Sequence, residues 1–257
     1  MASESSRILI DLDPPVARIS LRNPPLNVLD IPMMGELGTA LTDIEAKPDL
    51  SVILLQSLQR DFSAGVDVAA HTPENIHEML ARFHGVILSL VNSRKVSIAA
   101  VRGNCLGGGA ELAAVCDLVY TAESAVWGFP EIKLGCYPPV AATMLAALVG
   151  QKHAADLILT GRNLSGREAA NMGLANRAVP ETEVDSAVQE ALDGLVKLSP
   201  ATLAVTKKAI YVWESMHFQK GLARAEQIYL DELMKTEDAR VGIAAFLEER
   251  QPVWKGK

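Results

Sequence analysis

The sequence predicts an α/β fold that is followed by a mainly helical C-terminal region. In the first half, short β-branched and apolar runs alternate with stretches of helical periodicity, which is the pattern of an α/β core. From about residue 140 onward the periodicity becomes helical. A chain of 257 residues with 49% hydrophobic content is large enough to bury a substantial core without cross-links.

The elements of the first half follow in order from their periodicity. Strands are predicted for residues 7–12, 16–21, 51–57, 97–101 and 118–121. Helices are predicted for residues 32–46 and 73–92, and for a segment that begins with the glycines at 107–109 and ends at Val115. Residues 61–67, which follow a predicted strand, are predicted to form a loop.

The elements of the second half follow from helix-start signals. Ser165 and Thr182 are candidate N-caps, and Pro200 suits the first turn of a helix that is predicted to end at Trp213. Two further amphipathic helices are predicted for residues 218–235 and 237–250. The uncharged segment 134–151 contains prolines and glycines, so it is predicted to be a buried loop and helix rather than a membrane span.

Composition and charge argue against several function classes. A formal net charge of −7 with only 24 lysines and arginines gives no electrostatic footprint for broad nucleic-acid binding. The first residues lack the apolar stretch of a signal peptide, so we expect a cytoplasmic protein without a membrane or nucleic-acid partner. The histidines show no metal-ligand spacing, and neither a disulfide nor a zinc motif is expected from the cysteines, Cys105, Cys116 and Cys136.

Three consecutive glycines at 107–109 directly precede a predicted helix. The free N–H groups of such a helix start can bind phosphate, or they can form an oxyanion hole for a carbonyl oxygen that gains negative charge. A plain tight turn or close helix–strand packing explains the glycines equally well. A second glycine-bearing loop, residues 62–67, can present one more N–H or be only a turn at a strand end.

Two glutamates are the candidate acid/base groups. Glu111 follows the glycines in an otherwise apolar helix, and Glu131 stands among apolar and aromatic residues. Burial raises a carboxyl pKa toward neutrality, which suits a group that takes up and releases protons near pH 7. A structural role is the alternative for each, as a buried hydrogen bond or as a salt bridge, for instance between Glu131 and Lys133. Spacing alone does not place the two carboxylates together.

Residues 62–67, 103–117 and 128–135 together resemble the three sequence signatures of the enoyl-CoA hydratase/isomerase (crotonase) family, in the same order and spacing. The resemblance extends to Asn27-Val28 and to the segments 159–162, 170–174 and 237–246. It implies a crotonase (ClpP-like) spiral of ββα units over residues 1–196, which holds the active site. It also implies a helical oligomerisation region over residues 197–257, which builds homotrimers or homohexamers.

The same resemblance implies roles for individual residues. Backbone N–H groups of Val66 and Gly108 would form the oxyanion hole for the thioester carbonyl. Glu111 would deprotonate the attacking water, and Glu131 would exchange the proton at the other end of the unsaturated acyl group. No cofactor is implied, because coenzyme A (CoA) is part of the acyl-CoA substrate. The residues implied in CoA binding are Leu26, Asn27, Val28, Ala64 and Asp67. Trp254 and Lys255 would either reach the CoA of a neighbouring subunit or belong to a disordered end.

Residues 136–142 depart from the glycine-rich turn that is usual after the second glutamate in straight-chain hydratases. We therefore expect a reshaped acyl pocket, with Tyr137 and Trp127 in its wall. Residues 62–71 and 131–142 resemble those of hydratases of anaerobic aromatic degradation, which convert cyclohexa-1,5-diene-1-carbonyl-CoA to 6-hydroxycyclohex-1-ene-1-carbonyl-CoA. The alternatives are a general short-chain enoyl-CoA hydratase, an enoyl-CoA isomerase, a CoA-thioester hydrolase, or an RNA-binding or scaffold relative without catalysis.

Overall fold

The computed structural model describes residues 6–257, without the side chains of residues 212–216. Its strands are β1 (Ile8–Asp13), β2 (Val16–Leu21), β3 (Val52–Ser57), β4 (Val96–Val101), β5 (Asn104–Leu106), β6 (Leu118–Ala122), β7 (Val126–Gly128), β8 (Asn163–Ser165) and β9 (Arg177–Val179). Its α-helices are α1 (Ile31–Glu45), α2 (Ile76–Asn92), α3 (Gly108–Ala114), α4 (Pro139–Val149), α5 (Gln151–Thr160), α6 (Gly166–Asn171), α7 (Val184–Leu195), α8 (Pro200–Asp231) and α9 (Glu237–Leu247). The 3-10 helices are Val68–His71, Pro130–Leu134, Glu181–Glu183 and Leu233–Lys235.

The strands form a six-stranded sheet and a three-stranded sheet. The larger sheet has the order β1-β2-β3-β4-β6-β9, and its strands pair in parallel except for the antiparallel pair β1 and β2. The smaller sheet has the order β5-β7-β8. Every residue of β4 is buried, as expected for a central strand of a parallel sheet. Because β3 and β4 are parallel neighbours, the loops that follow them leave the sheet at the same edge.

The structure confirms the predicted α/β core. The predicted strands and helices of the first half are present, with ends that differ by at most three residues. The short strands β5, β7, β8 and β9 were not predicted, because three residues are too few to show a period. Ser165 is an N-cap as predicted, since its hydroxyl accepts from the N–H of Glu168 in a reciprocal capping box.

Two predictions for the second half are wrong. Thr182 is not an N-cap, because it lies inside a 3-10 helix and α7 begins two residues later at Val184. The helix that starts at Pro200 does not end at Trp213, because α8 runs without interruption to Asp231. No proline or helix-ending glycine stands at Trp213, so the sequence carries no stop signal there. No helix in the described residues is long and apolar enough to cross a membrane.

A buried ion pair connects α8 to the core. Nζ of Lys207 lies 2.7 Å from Oδ2 of Asp117, and both side chains are almost completely enclosed. The same ammonium donates to the carbonyl oxygens of Leu90 and Lys95, at 3.2 and 2.9 Å. Oδ2 of Asp117 also accepts from the N–H and the hydroxyl of Ser97. The charges are therefore paired and hydrogen-bonded, which a buried pair requires.

We expect Lys207→Met to lower the free energy of unfolding by about 3 kcal/mol, because it leaves the Asp117 carboxylate buried without its cation. Lys208→Met is the matched control, since Lys208 is the next residue of α8 and its side chain is exposed. The control should stay within about 0.5 kcal/mol of the wild type. Urea unfolding of the three proteins measures both values. Equal losses in the two variants would contradict a special role for the buried pair.

Candidate active site

Two loops at the edge of the larger sheet are joined by backbone hydrogen bonds. The N–H of Phe62 donates to the carbonyl of Arg102, at 2.9 Å, and the N–H of Ser63 donates to that of Asn104, at 3.0 Å. In return, the N–H of Leu106 donates to the carbonyl of Ser63, at 3.0 Å. These bonds extend the parallel pairing of β3 and β4 into their loops. They bring residues 65–66 of one loop against residues 107–108 of the other.

Val66 and Gly108, the predicted oxyanion donors, lie side by side. Leu29 donates to the carbonyl of Gly65 and accepts from the N–H of Asp67, so the N–H of Val66 points away from that bridge. Gly108 is the first residue of α3, and its N–H has no acceptor inside the helix. A Cβ on Gly108 would lie only 3.5 Å from the nitrogen of Val66. The structure thus places two outward-facing N–H groups together, while their catalytic role stays a prediction.

Glu111 is buried in α3 and is held by the start of α4. Glu111 is 3% exposed, and its Oε1 accepts from the N–H of Ala141 at 2.8 Å. Burial raises the pKa of Glu111 to about 7, while the N–H groups of Ala141 and Val140 oppose part of that rise. Pro139 occupies the first helical position and has no N–H, so the next two residues supply the free donors.

Glu131 lies on the 3-10 helix Pro130–Leu134, with its carboxylate against Gly107. A Cβ on Gly107 would lie 2.5 Å from Oε1 of Glu131, and the φ of +50° at Gly107 also favours glycine. Oε2 of Glu131 is buried and has no hydrogen-bond partner in the described part of the chain. The alternative salt bridge between Glu131 and Lys133 is not found among the described ion pairs, and Lys133 is exposed.

The two carboxyl groups interact. Burial raises the pKa of Glu131 well above its ordinary value, and the charge of Glu111 raises it further. Two buried carboxylates that repel each other ionise in succession rather than together. Glu111 has backbone N–H partners that stabilise its charged form, whereas Oε2 of Glu131 has no partner among the described residues. The proton therefore prefers Glu131, which separates the pair into a base and an acid.

The predicted CoA-binding residues differ in what they expose. Leu26 is 41% exposed, and Val28, Ala64 and Asp67 are half-buried, so these four have surface to offer a ligand. Asn27 has none.

The Asn27 residue is 0% exposed, and its Nδ2 donates to the hydroxyl of Ser57 and to the carbonyls of Asp61 and Phe62. The prediction that it contacts CoA is therefore wrong for this conformation, because the residue is enclosed in the loops that it joins.

The two aromatic residues predicted for the acyl pocket have other contacts. Trp127 is 0% exposed and donates from Nε1 to the hydroxyl of Thr121, at 3.0 Å. The prediction that it faces a ligand is wrong, because it is enclosed in the hydrophobic core. Tyr137 lines a cavity of about 650 Å³ between α4 and α8, and neither catalytic candidate lines that cavity. The hydroxyl of Tyr137 donates to the carbonyl of Ala225 on α8.

The C-terminal tail folds back onto the start of α9. The N–H groups of Lys255 and Gly256 donate to the two carboxylate oxygens of Asp238, at 2.6 and 2.9 Å. Trp254 is 45% exposed. A contact of Trp254 and Lys255 with the CoA of a neighbouring subunit stays a prediction.

Comparison with known proteins decides the family. The family described as "Enoyl-CoA hydratase/isomerase" matches residues 13–257. The chain belongs to the enoyl-CoA hydratase/isomerase family. It is 32% identical over 256 residues to a cyclohexa-1,5-dienecarbonyl-CoA hydratase of Thauera aromatica, covering 100% of this chain and 99% of the relative. It is 35% identical over 254 residues to a probable enoyl-CoA hydratase of Rhizobium meliloti, covering 96% of this chain and 97% of the relative.

A solved structure confirms the crotonase fold. An enoyl-CoA hydratase from Mycobacterium avium subsp. paratuberculosis superposes with a TM-score of 0.89, covering 98% of this chain and 100% of that chain. Its sequence identity is 24%, so the likeness concerns the fold. Membership of the enoyl-CoA hydratase/isomerase family identifies the chain as an enzyme of the hydro-lyase type.

In this enoyl-CoA hydratase/isomerase family member, α9 supports the helix that carries Glu131. A Cβ on Gly242 of α9 would collide with the carbonyl oxygen of Leu134. A Cβ on Gly135, at the end of the 3-10 helix, would lie 2.8 Å from the carbonyl oxygen of Asp238. The two backbones therefore pack in direct contact, and the position of Glu131 depends on residues more than a hundred positions later in the sequence.

Sequence reasoning did not predict the roles of three residues in this site. Ala141 anchors Glu111, Gly107 leaves room for Glu131, and Gly242 allows α9 to approach. The Pro138-Pro139 pair was an available signal for a helix start near Ala141. Gly242 lies in the segment 237–246 of the family resemblance, but no local pattern indicated its contact with Leu134.

We expect Gly242→Ala to displace the 3-10 helix Pro130–Leu134 and to lower kcat for enoyl-CoA hydration on the order of 100-fold, because a misplaced acid loses alignment. The overpacking should also cost about 1–3 kcal/mol of stability. Gly194→Ala on α7 is the matched control, since no heavy atom lies within 4 Å of its added Cβ. The control should keep the wild-type kcat in the same assay. Wild-type kcat in Gly242→Ala would contradict the support of Glu131 by α9.

We expect the free energy of unfolding to fall as the pH rises from about 4.5 through about 7, because Glu111 loses its proton over this range. Its pKa is about 7 in the folded chain and 4.5 in the reference state, so the folded state binds this proton more tightly. The stabilisation that comes from the proton on Glu111 is fully present below about pH 4.5. It is lost as the pH rises through about 7, and its size is roughly 3 kcal/mol. Urea unfolding at several pH values should show that Glu111→Gln loses less stability with rising pH than the wild type does. The same loss in both proteins would contradict the raised pKa.

Proposed function

We propose that this chain is an enoyl-CoA hydratase that adds water to cyclohexa-1,5-diene-1-carbonyl-CoA. Enoyl-CoA hydratase activity in general follows from the family. The observation that carries the proposal is the pair of Glu111 and Glu131. Glu111 accepts from the N–H of Ala141, whereas Oε2 of Glu131 has no partner among the described residues, so the pair divides into a base and an acid. The ring-shaped substrate is supported by the similarity to the hydratase of Thauera aromatica along the whole chain.

In this proposal the thioester carbonyl accepts hydrogen bonds from the N–H groups of Val66 and Gly108. Their adjacency supports the role, because donors that are already oriented stabilise the negative charge that grows on the carbonyl oxygen. Loss of one such donor typically raises a barrier by roughly 3–4 kcal/mol. The CoA moiety extends past Leu26, Val28, Ala64 and Asp67, which keep exposed surface near these donors.

The proton transfers follow from the two carboxyl groups. Ionised Glu111 takes a proton from water, and the resulting hydroxide bonds to the β-carbon, which is carbon 2 of the ring. Protonated Glu131 gives its proton to carbon 5, at the other end of the conjugated diene. The remaining double bond shifts to join carbons 1 and 6, and renumbering gives 6-hydroxycyclohex-1-ene-1-carbonyl-CoA. Transfer of a proton from Glu111 to Glu131 through solvent restores the starting state.

The proposal also covers the oligomeric state of the enzyme, its location and its metabolic role. The enzyme works as a homotrimer or homohexamer in the cytoplasm, without a cofactor, in the breakdown of aromatic rings. Residues 197–257 are proposed to form the oligomerisation region. The large exposed apolar side chains of α8 and α9 support this assignment, among them Val205, Ile210 and Phe246.

A general short-chain enoyl-CoA hydratase is the second candidate. It is favoured by the similarity to the probable enoyl-CoA hydratase of Rhizobium meliloti, which has the higher identity of the two relatives. Such an enzyme uses the same residues, but the proton goes to the α-carbon of an open-chain acyl group. An isomerase or a thioester hydrolase does not need two acids that face one site.

The proposal is tested with purified protein and two substrates, crotonyl-CoA and cyclohexa-1,5-diene-1-carbonyl-CoA, with products followed by mass. We expect one water to be added to the cyclic diene at a kcat/KM well above that for crotonyl-CoA. In D2O the ring product should carry deuterium on the former carbon 5. Preference for crotonyl-CoA would support the general hydratase, and release of free CoA thiol would indicate a hydrolase.

The glutamate variants serve as controls in the same assay. Glu111→Gln and Glu131→Gln should each lower turnover by roughly 100- to 10,000-fold while binding of the ester survives. Glu190→Gln is the matched surface control, because its side chain on α7 is 74% exposed. Unchanged turnover in either active-site variant would contradict the proposed acid/base roles.

A further inference from the structure

Gly108 is enclosed between two side chains from different segments. A Cβ on Gly108 would lie 2.6 Å from Cγ2 of Val66 and 3.2 Å from Cζ of Phe83, which belongs to α2. Phe83 is 3% exposed, so its ring fills this place rather than facing solvent. The ring is therefore part of the packing that holds Val66 and Gly108, the proposed oxyanion donors, next to each other.

The next residue of α2, His84, is hydrogen-bonded to α8. Its Nδ1 lies 2.5 Å from Oε2 of Glu226, and the imidazole is almost completely enclosed. Burial lowers the pKa of His84, and the hydrogen bond and charge of Glu226 oppose part of that effect. The ring is therefore neutral near pH 7, and its contact with a carboxylate assigns the proton to Nδ1, which is the donor.

The part of α8 that carries Glu226 is itself held by the core. The hydroxyl of Tyr137 donates to the carbonyl of the preceding residue, Ala225, at 2.5 Å. Consecutive residues of α8 thus accept one bond from the segment before α4 and one bond from α2. His84 is therefore bonded to a point on α8 that is fixed from a second direction along the chain.

Phe83 and His84 are consecutive residues of one helix, so their side chains leave it about 100° apart around its axis. Their ring centroids are 6.2 Å apart, and the ring planes meet at 48°. A rotation of α2 about its axis would move the ring of Phe83 away from Gly108 and would break the bond of His84 at the same time. The bond to Glu226 therefore opposes the rotation that would displace Phe83.

We propose that His84 is a positioning residue for the oxyanion donors. Its hydrogen bond to Glu226 fixes the rotation of α2, and the ring of Phe83 then holds the backbone of Gly108 against that of Val66. The proposal rests on the proposed function in treating the N–H groups of Val66 and Gly108 as donors to the thioester carbonyl. It also gives the C-terminal helical region a part in the site, because Glu226 belongs to α8.

The test is Glu226→Met, which removes the acceptor and keeps a side chain of similar length. We expect kcat for enoyl-CoA hydration to fall about 10-fold while KM changes by less than about twofold, because the donors act mainly on the transition state. Glu226→Gln keeps an oxygen that accepts from His84, so it should restore the wild-type kcat. Glu78→Met is the matched control, since it breaks the exposed bond between Glu78 and Arg82 on the same helix α2.

A spectroscopic measurement reports on the donors directly. Benzoyl-CoA with an isotope label at the carbonyl carbon cannot be hydrated, and its carbonyl stretch falls in frequency when the oxygen accepts hydrogen bonds. Raman difference spectra should show a lowered stretch for the ester bound to the wild type and to Glu226→Gln, and a return toward the free ester in Glu226→Met. An unchanged stretch in Glu226→Met, or an equal return in Glu78→Met, overturns the role of His84. A stretch at the frequency of the free ester in the wild type overturns the donors and this role together.

Phe83→Leu tests whether the effect passes through the ring of Phe83. The smaller side chain should itself move the carbonyl stretch toward that of the free ester, and Glu226→Met should add no further change in this background. Additive shifts, or an unchanged stretch in Phe83→Leu, overturn the proposal, and the single variant decides the matter if Glu226→Met does not fold. Failure of the wild type to hydrate any enoyl-CoA overturns the proposed function instead, and the carbonyl stretch still decides the role of His84.

Discussion

The parallel pairing of β3 with β4 is the constraint on which the rest of the structure depends. It sends two loops from the same edge of the sheet, and backbone hydrogen bonds then align them residue by residue. Only through this alignment do Val66 and Gly108 become neighbours, although they are far apart in sequence. The helix that starts at Gly108 then carries Glu111 into the interior. The site is thus an extension of the sheet.

Burial of two carboxyl groups has a cost that the surrounding elements offset. The start of α4 provides N–H donors to Glu111, and the packing of α9 closes over the segment that carries Glu131. Such polar groups in an apolar surrounding reduce stability, and proteins keep them where chemistry needs a proton near neutral pH. The buried ion pair of Lys207 with Asp117 is different, because its charges compensate each other and it joins α8 to the core.

The sequence predicted the features that depend on local patterns. The β-branched runs indicated the strands of the core, and the family signatures indicated Val66, Gly108 and both glutamates. Contacts between distant segments could not be predicted in this way. Hydrophobicity did not reveal that Trp127 is enclosed in the core, and an exposed-loop composition did not reveal that Asn27 is fully buried. Long-range packing decides such residues, and periodicity carries no information about it.

The direct contact between α9 and residues 134–135 has a consequence for the order in which the molecule matures. Chains are synthesised from the N-terminus, and the early segments begin to fold first. The segments of Val66 and Gly108 and the residue Glu111 are synthesised well before α9. The contact that supports Glu131 comes from α9, more than a hundred residues after Glu131 itself. A chain that has been synthesised only as far as Glu131 therefore holds Glu111 in its helix, while the segment of Glu131 still lacks the contact that fixes it.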